Sequence, residues 1–385
     1  MRNVIRMAYF VWILGSLIAC TGQPTPTIDN SQLPIDNSPT PLPLLTSSPL
    51  SPNTPPPLQT PETPTPDTPS PTPIPQLLQL TSNGCCVQPF FSPDSTRLLF
   101  LDKPAPDAPT GLYQIPITGG TPELFTTRLG IYSSDQQLVA YPEGGQTYVE
   151  RLADAQRWTI PNGGRSVSFS PTGAQVAWTI GSAGPPFDTA LREIRIGAFD
   201  GSNARQVVTL IGGGFNGWIS ETHALVTGRQ TLDESESALW VLSLEDNSLR
   251  ELVRGGRIRS ISISPGGAWV AYLVTFAPDP AQNGLWIQNI ATGARVQLTL
   301  FGGYRWRDAD HLLIIPLDPN AASGPVASHQ LWEVDAATGD SRALTDPALT
   351  PFKVAEGDWT VSPDGRYVAF ISATDRNLWV LTIQP

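Results

Sequence analysis

Few residues in this chain could carry chemistry. Its 385 residues include only three histidines and three cysteines, so the commonest general base and the soft metal ligands are both scarce. His223 and His311 each follow a tryptophan, Trp218 and Trp306, by five residues, and His329 stands apart. They read as solvated turn and loop residues, and no His/Cys grouping has zinc spacing. No Gly-x-Ser-x-Gly elbow is present, which removes the hydrolase arrangement that depends on one. Asp233, Glu234 and Glu236 crowd one loop around Ser235 and read as a solvated turn, since their spacing fits no calcium loop. No catalytic residue, metal site or cofactor is assigned.

Two groups remain. Cys85 and Cys86 are adjacent; consecutive Cα atoms lie about 3.8 Å apart, closer than disulfides normally span. Two readings stay open, a vicinal disulfide presenting a rigid apolar knob and two thiols packed separately. The second group is cationic. Arg128, Arg165, Arg257, Arg259 and Arg305, with Arg307 and Lys353, recur near the glycine pairs Gly163-Gly164, Gly255-Gly256 and Gly302-Gly303. Brought together, guanidinium groups beside bare backbone would form a basic funnel for an anionic ligand or acidic peptide. Scattered, they are loop charges paired with neighbouring acids.

A repeat must position these residues. Four segments share one pattern: Phe91-Ser92-Pro93-Asp94, Phe169-Ser170-Pro171-Thr172, Ile263-Ser264-Pro265-Gly266 and Val361-Ser362-Pro363-Asp364. Proline presets φ for a turn, and the next positions accept unusual dihedrals, so each segment joins two strands of a hairpin. The returning strands contain Leu98-Leu99-Phe100, Val176-Ala177-Trp178, Val270-Ala271-Tyr272 and Val368-Ala369-Phe370. Tyr132, Trp218 and Trp306 head three degenerate copies, and in all seven the first and last anchors are nine residues apart. Steps between first anchors run from 37 to 55 residues, bracketing the 40 to 45 of a four-stranded propeller blade.

A third strand follows in each copy, as in Leu239-Trp240-Val241 and Leu285-Trp286-Ile287, and a polar-edged fourth, as in Val296-Gln297-Leu298-Thr299. The last copy stops after its third strand, whereas Leu78-Gln79-Leu80-Thr81 stands unpaired before the first. Pairing those two segments would close a ring and remove its open edges. The expected fold is therefore all-β, a seven-bladed β-propeller over residues 77–385 closed by its N-terminal strand, with six or eight blades as alternatives. Its connections would gather Cys85, Cys86 and the arginines on one channel face.

The aromatic-Ser-Pro-Asp-Gly signature resembles that of TolB-like, or WD40-like, propellers over about residues 77–385. The resemblance implies the fold, and either a periplasmic scaffold that binds proteins or a gating domain fused to serine peptidases. It does not fix function.

The N-terminus addresses compartment. Arg2 and Arg6 precede twelve largely apolar residues, Ala8 to Ala19, too few for a spanning helix of roughly twenty and suited to an export signal. Leu17-Ile18-Ala19-Cys20 resembles the bacterial lipobox, which implies a signal peptide over 1–19 and lipidation of Cys20. Residues 20–76 hold runs such as Thr63-Pro64-Thr65-Pro66; with so little apolar surface they are expected to be a disordered, polyproline-rich stalk. The formal net charge of −11 disfavours nucleic acid as a partner. The expected protein is an extracytoplasmic monomer, lipid-anchored to the cell envelope. It binds a protein, peptide or glycan through its channel face, with a small-molecule lyase or hydrolase as the alternative.

Overall fold

In the computed structural model, residues 75–181, 186–317 and 328–383 are described. The signal segment, Cys20 and nearly all of the stalk lie outside them. The described chain is all β apart from a single 3-10 turn at Pro280–Gln282.

Strand β1 (Gln76–Gln79) precedes a four-stranded antiparallel sheet of β2 (Val87–Phe91), β3 (Arg97–Asp102), β4 (Gly111–Pro116) and β5 (Glu123–Thr126). The next sheet is β6 (Ile131–Tyr132), β7 (Leu138–Glu143), β8 (Gln146–Arg151) and β9 (Arg157–Ile160). Seven strands then form one sheet: β10 (Ser168–Phe169), β11 (Gln175–Gly181), β12 (Leu191–Ala198), β13 (Arg205–Trp218), β14 (His223–Arg229), β15 (Ala238–Ser243) and β16 (Leu249–Arg254). Strands β17 (Arg257–Ile263), β18 (Trp269–Thr275), β19 (Gly284–Asn289) and β20 (Arg295–Gln297) follow. After them come β21 (Gly302–Trp306), β22 (His311–Pro316), β23 (Trp332–Asp335) and β24 (Ser341–Ala343). The last sheet runs β25 (Val354–Val361), β26 (Tyr367–Ser372), β27 (Leu378–Thr382) and then β1. Gln76 pairs with Thr382 and Gln79 with Trp379, so the strand expected to close the ring does so.

The Ser-Pro turn works through its serine. Ser92, Ser170, Ser264 and Ser362 are buried, and each hydroxyl accepts the N–H five residues on, from Arg97, Gln175, Trp269 and Tyr367, at 2.9–3.1 Å. Ser133 does the same for Leu138 without a following proline, so the Tyr132 copy keeps the device. The hairpins headed by Trp218 and Trp306 depart from the common spacing. Trp218 faces Ala224 and Trp306 faces Leu312, one residue sooner than Phe91 faces Leu98. The sequence spacing of nine therefore does not mean the same register in all seven copies.

The turns are stitched to one another. Gln136 Nε2 donates to Phe91 O at 2.9 Å, Thr172 N to Glu221 Oε1 at 2.8 Å, and Asp364 N to Ser95 Oγ at 3.1 Å. Arg307 Nε donates to Gly365 O at 3.0 Å. The first and last of these turns are among those tied, so the stitching crosses the ring closure.

Six apolar clusters fill the spaces between sheets. One joins the last sheet to the first through Ile371, Val380, Phe91 and Phe100. Another packs the two halves of the seven-stranded sheet against each other through Ile194, Leu210, Trp218 and Trp240. Between the β2–β5 and β6–β9 sheets lies a cleft of about 460 Å³ lined by Phe90, Leu112, Leu129 and Tyr132 among others.

Candidate functional site

The first strand of each sheet, with the second half of β13, lines the ring axis and runs from a glycine- or arginine-bearing connection to a Ser-Pro-type turn. Regular alternation would point these side chains into the neighbouring sheets. Bulges redirect some of them. Register shifts fall between Val87 and Phe90, Arg259 and Ser262, and Val354 and Trp359, where Gln88, Ser260 and Glu356 adopt φ of 55°, 54° and 53°.

Aromatic donors lock these strands together. Trp218 Nε1 donates to Ser168 O at 3.1 Å and Trp306 Nε1 to Ser262 O at 3.0 Å. The Tyr304 hydroxyl donates to Ser260 O. The tryptophans that head two degenerate copies thus tie each of their strands to the preceding one.

On the axis these strands leave a cavity of about 440 Å³, walled by Trp218, Ser262, Ser264, Gly266, Arg305 and Thr360 among others. Arg305 is the one charged residue in that lining among the described residues. Its Nη1 donates to Tyr304 O at 2.7 Å, and its guanidinium carbon lies 5.3 Å from the Trp359 ring centroid, a cation–π arrangement. Surrounding protein pulls its pKa below the ordinary arginine value through burial, partly offset by Tyr304 and Asp358. Arginine still remains charged at any physiological pH. Asp358 is raised by burial despite accepting Gln88 N–H at 2.9 Å.

The other sequence-predicted residues are spread over the opposite end of the strands, and they are not one cluster. Arg128 Nε lies 3.2 Å from Glu150 Oε1, an acid two strands away that also takes the Tyr141 hydroxyl; Arg128 is committed to its own sheet. Arg165 donates to Asn162 O at 2.9 Å. Arg257 lies over Phe276, 5.3 Å from its centroid. Arg165, Arg257 and Arg259 form no ion pair among the described residues, and all three are exposed. Arg305 was expected with them at the connection end, whereas it reaches the axial cavity that also borders Pro171 and the Ser264–Gly267 turn.

Cys85 and Cys86 are joined as a vicinal disulfide with Cα atoms 3.6 Å apart. Cys86 belongs to the cluster between the last and first sheets, so the bond sits at the ring closure. The Thr81 hydroxyl lies 3.0 Å from Cys85 Sγ, Cys85 N donates to Arg376 O at 2.9 Å, and Gly84 N donates to Asn377 Oδ1 at 2.9 Å.

His223 and His311 open β14 and β22. Their nearest polar partners are local, Thr222 Oγ1 at 3.0 Å and Asp308 Oδ1 at 2.9 Å. Half-buried His329 accepts Val354 N–H at 3.1 Å, and partial burial, then Lys353, lowers its pKa.

No protein-family model matches the chain, and no curated protein matches it. Among solved structures, an oligogalacturonate lyase in complex with manganese superposes with a TM-score of 0.56 at 14% identity, covering 81% of this chain and 99% of the lyase. The oligogalacturonate lyase of Vibrio parahaemolyticus gives 0.55 at 11% identity, over 80% of this chain and 97% of its own. The chain is a β-propeller. Identity this low carries the fold of the propeller and nothing about its activity. A putative TolB from Agrobacterium tumefaciens aligns over 78% of this chain and 90% of its own with a TM-score of 0.36 at 14% identity, too loose to argue from. Among the described residues of the propeller, no three His, Cys, Asp or Glu side chains are grouped to hold a metal ion.

Proposed function

We propose that this propeller is a binding module, displayed outside the cytoplasm, that recognises a protein, peptide or glycan through its channel face. The observation that carries this reading is the axial cavity. Strands β13, β17, β21 and β25 wall it, and among the described residues it contains one arginine set among hydroxyls, glycines and indoles. Pockets with a few convergent polar groups in an apolar wall are the usual form of a ligand site. Arg165, Arg257 and Arg259 add positive charge at the far ends of the channel strands, against a chain whose net charge is −11. Such local contrast steers acidic partners toward one end of the ring.

Two further parts complete the reading. The seven-stranded sheet counts as two blades that share β13, giving seven in all. In support, the N-terminal half of β13 pairs with β12 and its C-terminal half with β14, with a register shift between Ile211 and Gly214. Residues 1–19 act as a lipoprotein signal, Cys20 carries the lipid, and residues 20–76 form the stalk that holds the propeller away from the envelope.

Site-specific photocrosslinking in native cells tests the binding face. A photoreactive residue at Arg259 or Thr360 is expected to give a discrete adduct, and one at exposed Glu123 on β5 none. Equal adducts from both faces, or none from the channel positions, would overturn the reading.

A further inference from the structure

We infer that the axial cavity is a carboxylate site, with Arg305 as the cation that receives it; this deepens the binding reading above and rests on it. Three observations converge. First, among the described residues the cavity wall holds one positive side chain and no Asp or Glu. Second, Arg305 has no carboxylate within ion-pair distance among the described residues. One Nη1 contact goes to its neighbour's carbonyl and its face lies against Trp359, so edge donors remain for a planar oxyanion.

Third, the wall beside it departs from the repeat in a way that frees a hydroxyl. At Ser92, Ser133 and Ser362 the hydroxyl proton is taken by the acid two residues on: Asp94, Asp135 and Asp364, at 2.5–2.6 Å. The corresponding position after Ser264 is Gly266. Ser264 Oγ still accepts Trp269 N–H, but its own proton has no acceptor among the described residues. Nothing lies within 4 Å of where a Cβ on Gly266 would stand. Two copies of the turn lack that acid, at Thr172 and Gly266; beside Thr172 the carboxylate of Glu221 takes its place, whereas the Gly266 copy has lost a negative charge and gained space where it borders the cavity.

An exposed arginine fork beside a buried serine hydroxyl matches a carboxylate in charge and hydrogen-bond sense. The volume of about 440 Å³ fits an organic acid or the end of a peptide. Both sources offer the same group, and the test separates them.

The test is calorimetric titration of the full chain with three probes: succinate, tetra-alanine with a free C-terminus, and tetra-alanine amide. Saturable binding of succinate alone assigns a free organic acid, and binding of the free peptide assigns a chain terminus. The amide is expected not to bind in either case. Arg305→Gln should weaken the active probe about tenfold or more, whereas Arg128→Gln should leave it unchanged. Arg305→Lys, which keeps the charge without the planar fork, should fall between and covers a Gln variant that does not fold. Absence of saturable binding by both acids, equal binding of the amide, or an Arg305→Gln chain that folds and binds normally would overturn the proposal. Failure here with channel-face crosslinks intact removes the carboxylate assignment alone; loss of those crosslinks removes the binding reading beneath it.

Discussion

The Thr81 hydroxyl accepts the backbone N–H of Leu378 at 2.9 Å, across 297 residues of sequence. The same oxygen lies 3.0 Å from Cys85 Sγ, so one side chain links the closing strand, the last sheet and the disulfide. Thr345 makes the equivalent bond to Leu331 N within its own sheet, at 2.8 Å. Ring closure thus reuses the local chemistry of an ordinary strand pair.

Removing that hydroxyl should loosen the closure. Thr81→Val keeps the shape but leaves the buried Leu378 N–H without a partner, at a cost of about 1–3 kcal/mol. Urea unfolding should show a lower midpoint for Thr81→Val and a near-normal one for Thr81→Ser. Equal midpoints for Val and Ser would mean the bond contributes nothing.

Acid stability should depend on Glu333. This buried carboxylate takes Arg342 Nε at 2.7 Å and pairs with buried Arg307. Burial raises its pKa, but hydrogen bonds and charge from Arg342 and Arg307 outweigh it, and the net shift is downward. A depressed carboxylate stabilises the fold fully above its unfolded value of about 4.3 and loses that contribution as pH falls through the lower folded value. Glu333→Gln should therefore be destabilised at pH 7, on the order of 3 kcal/mol, and should lose less than wild type between pH 5 and pH 2. Parallel acid limbs for the two chains would contradict this.

The shared strand should be intolerant at its break. Gly213 has φ +70°, and a Cβ there would stand 2.3 Å from Thr227 O. Gly213→Ala combines left-handed strain with that clash, and its Tm should fall by several degrees. At Gly119, φ +91° with nothing within 4 Å, alanine meets the strain alone and should cost less. A smaller loss at Gly213 would argue against a fixed break in β13.

The anchor assignment makes a biochemical prediction. Cells grown with a clickable fatty acid should label the wild-type chain, and Cys20→Ser should abolish both label and membrane association. Retained label in Cys20→Ser would exclude that site.

Hairpins, third strands and the closing strand were legible in the sequence because proline, buried serine and alternating apolar residues have local causes. Register was less so. Equal spacing of nine concealed shorter turns after Trp218 and Trp306, where Ser220 and Asp308 cap the turn by accepting His223 N–H and His311 N–H. The Ser133 copy was visible as serine at the right place, but without proline it read as degenerate. Charge placement was hardest to read. Arg128 finds Glu150 from 22 residues away, and Arg305 joins residues of four other axial walls. Bulges at Ser260 and Glu356, residues with no glycine-like signature, help decide which channel-strand side chains reach the axis.

Occupancy measured at Arg305 tests most directly whether the axial cavity is the binding site. Crosslinks from a photoreactive residue at Thr360 should be competed away by the acid probe that binds the isolated chain, and should disappear in an Arg305→Gln background that retains the wild-type urea midpoint. Crosslinks that persist undiminished in a folded Arg305→Gln chain, with the probe present, would show that recognition takes place elsewhere on the propeller.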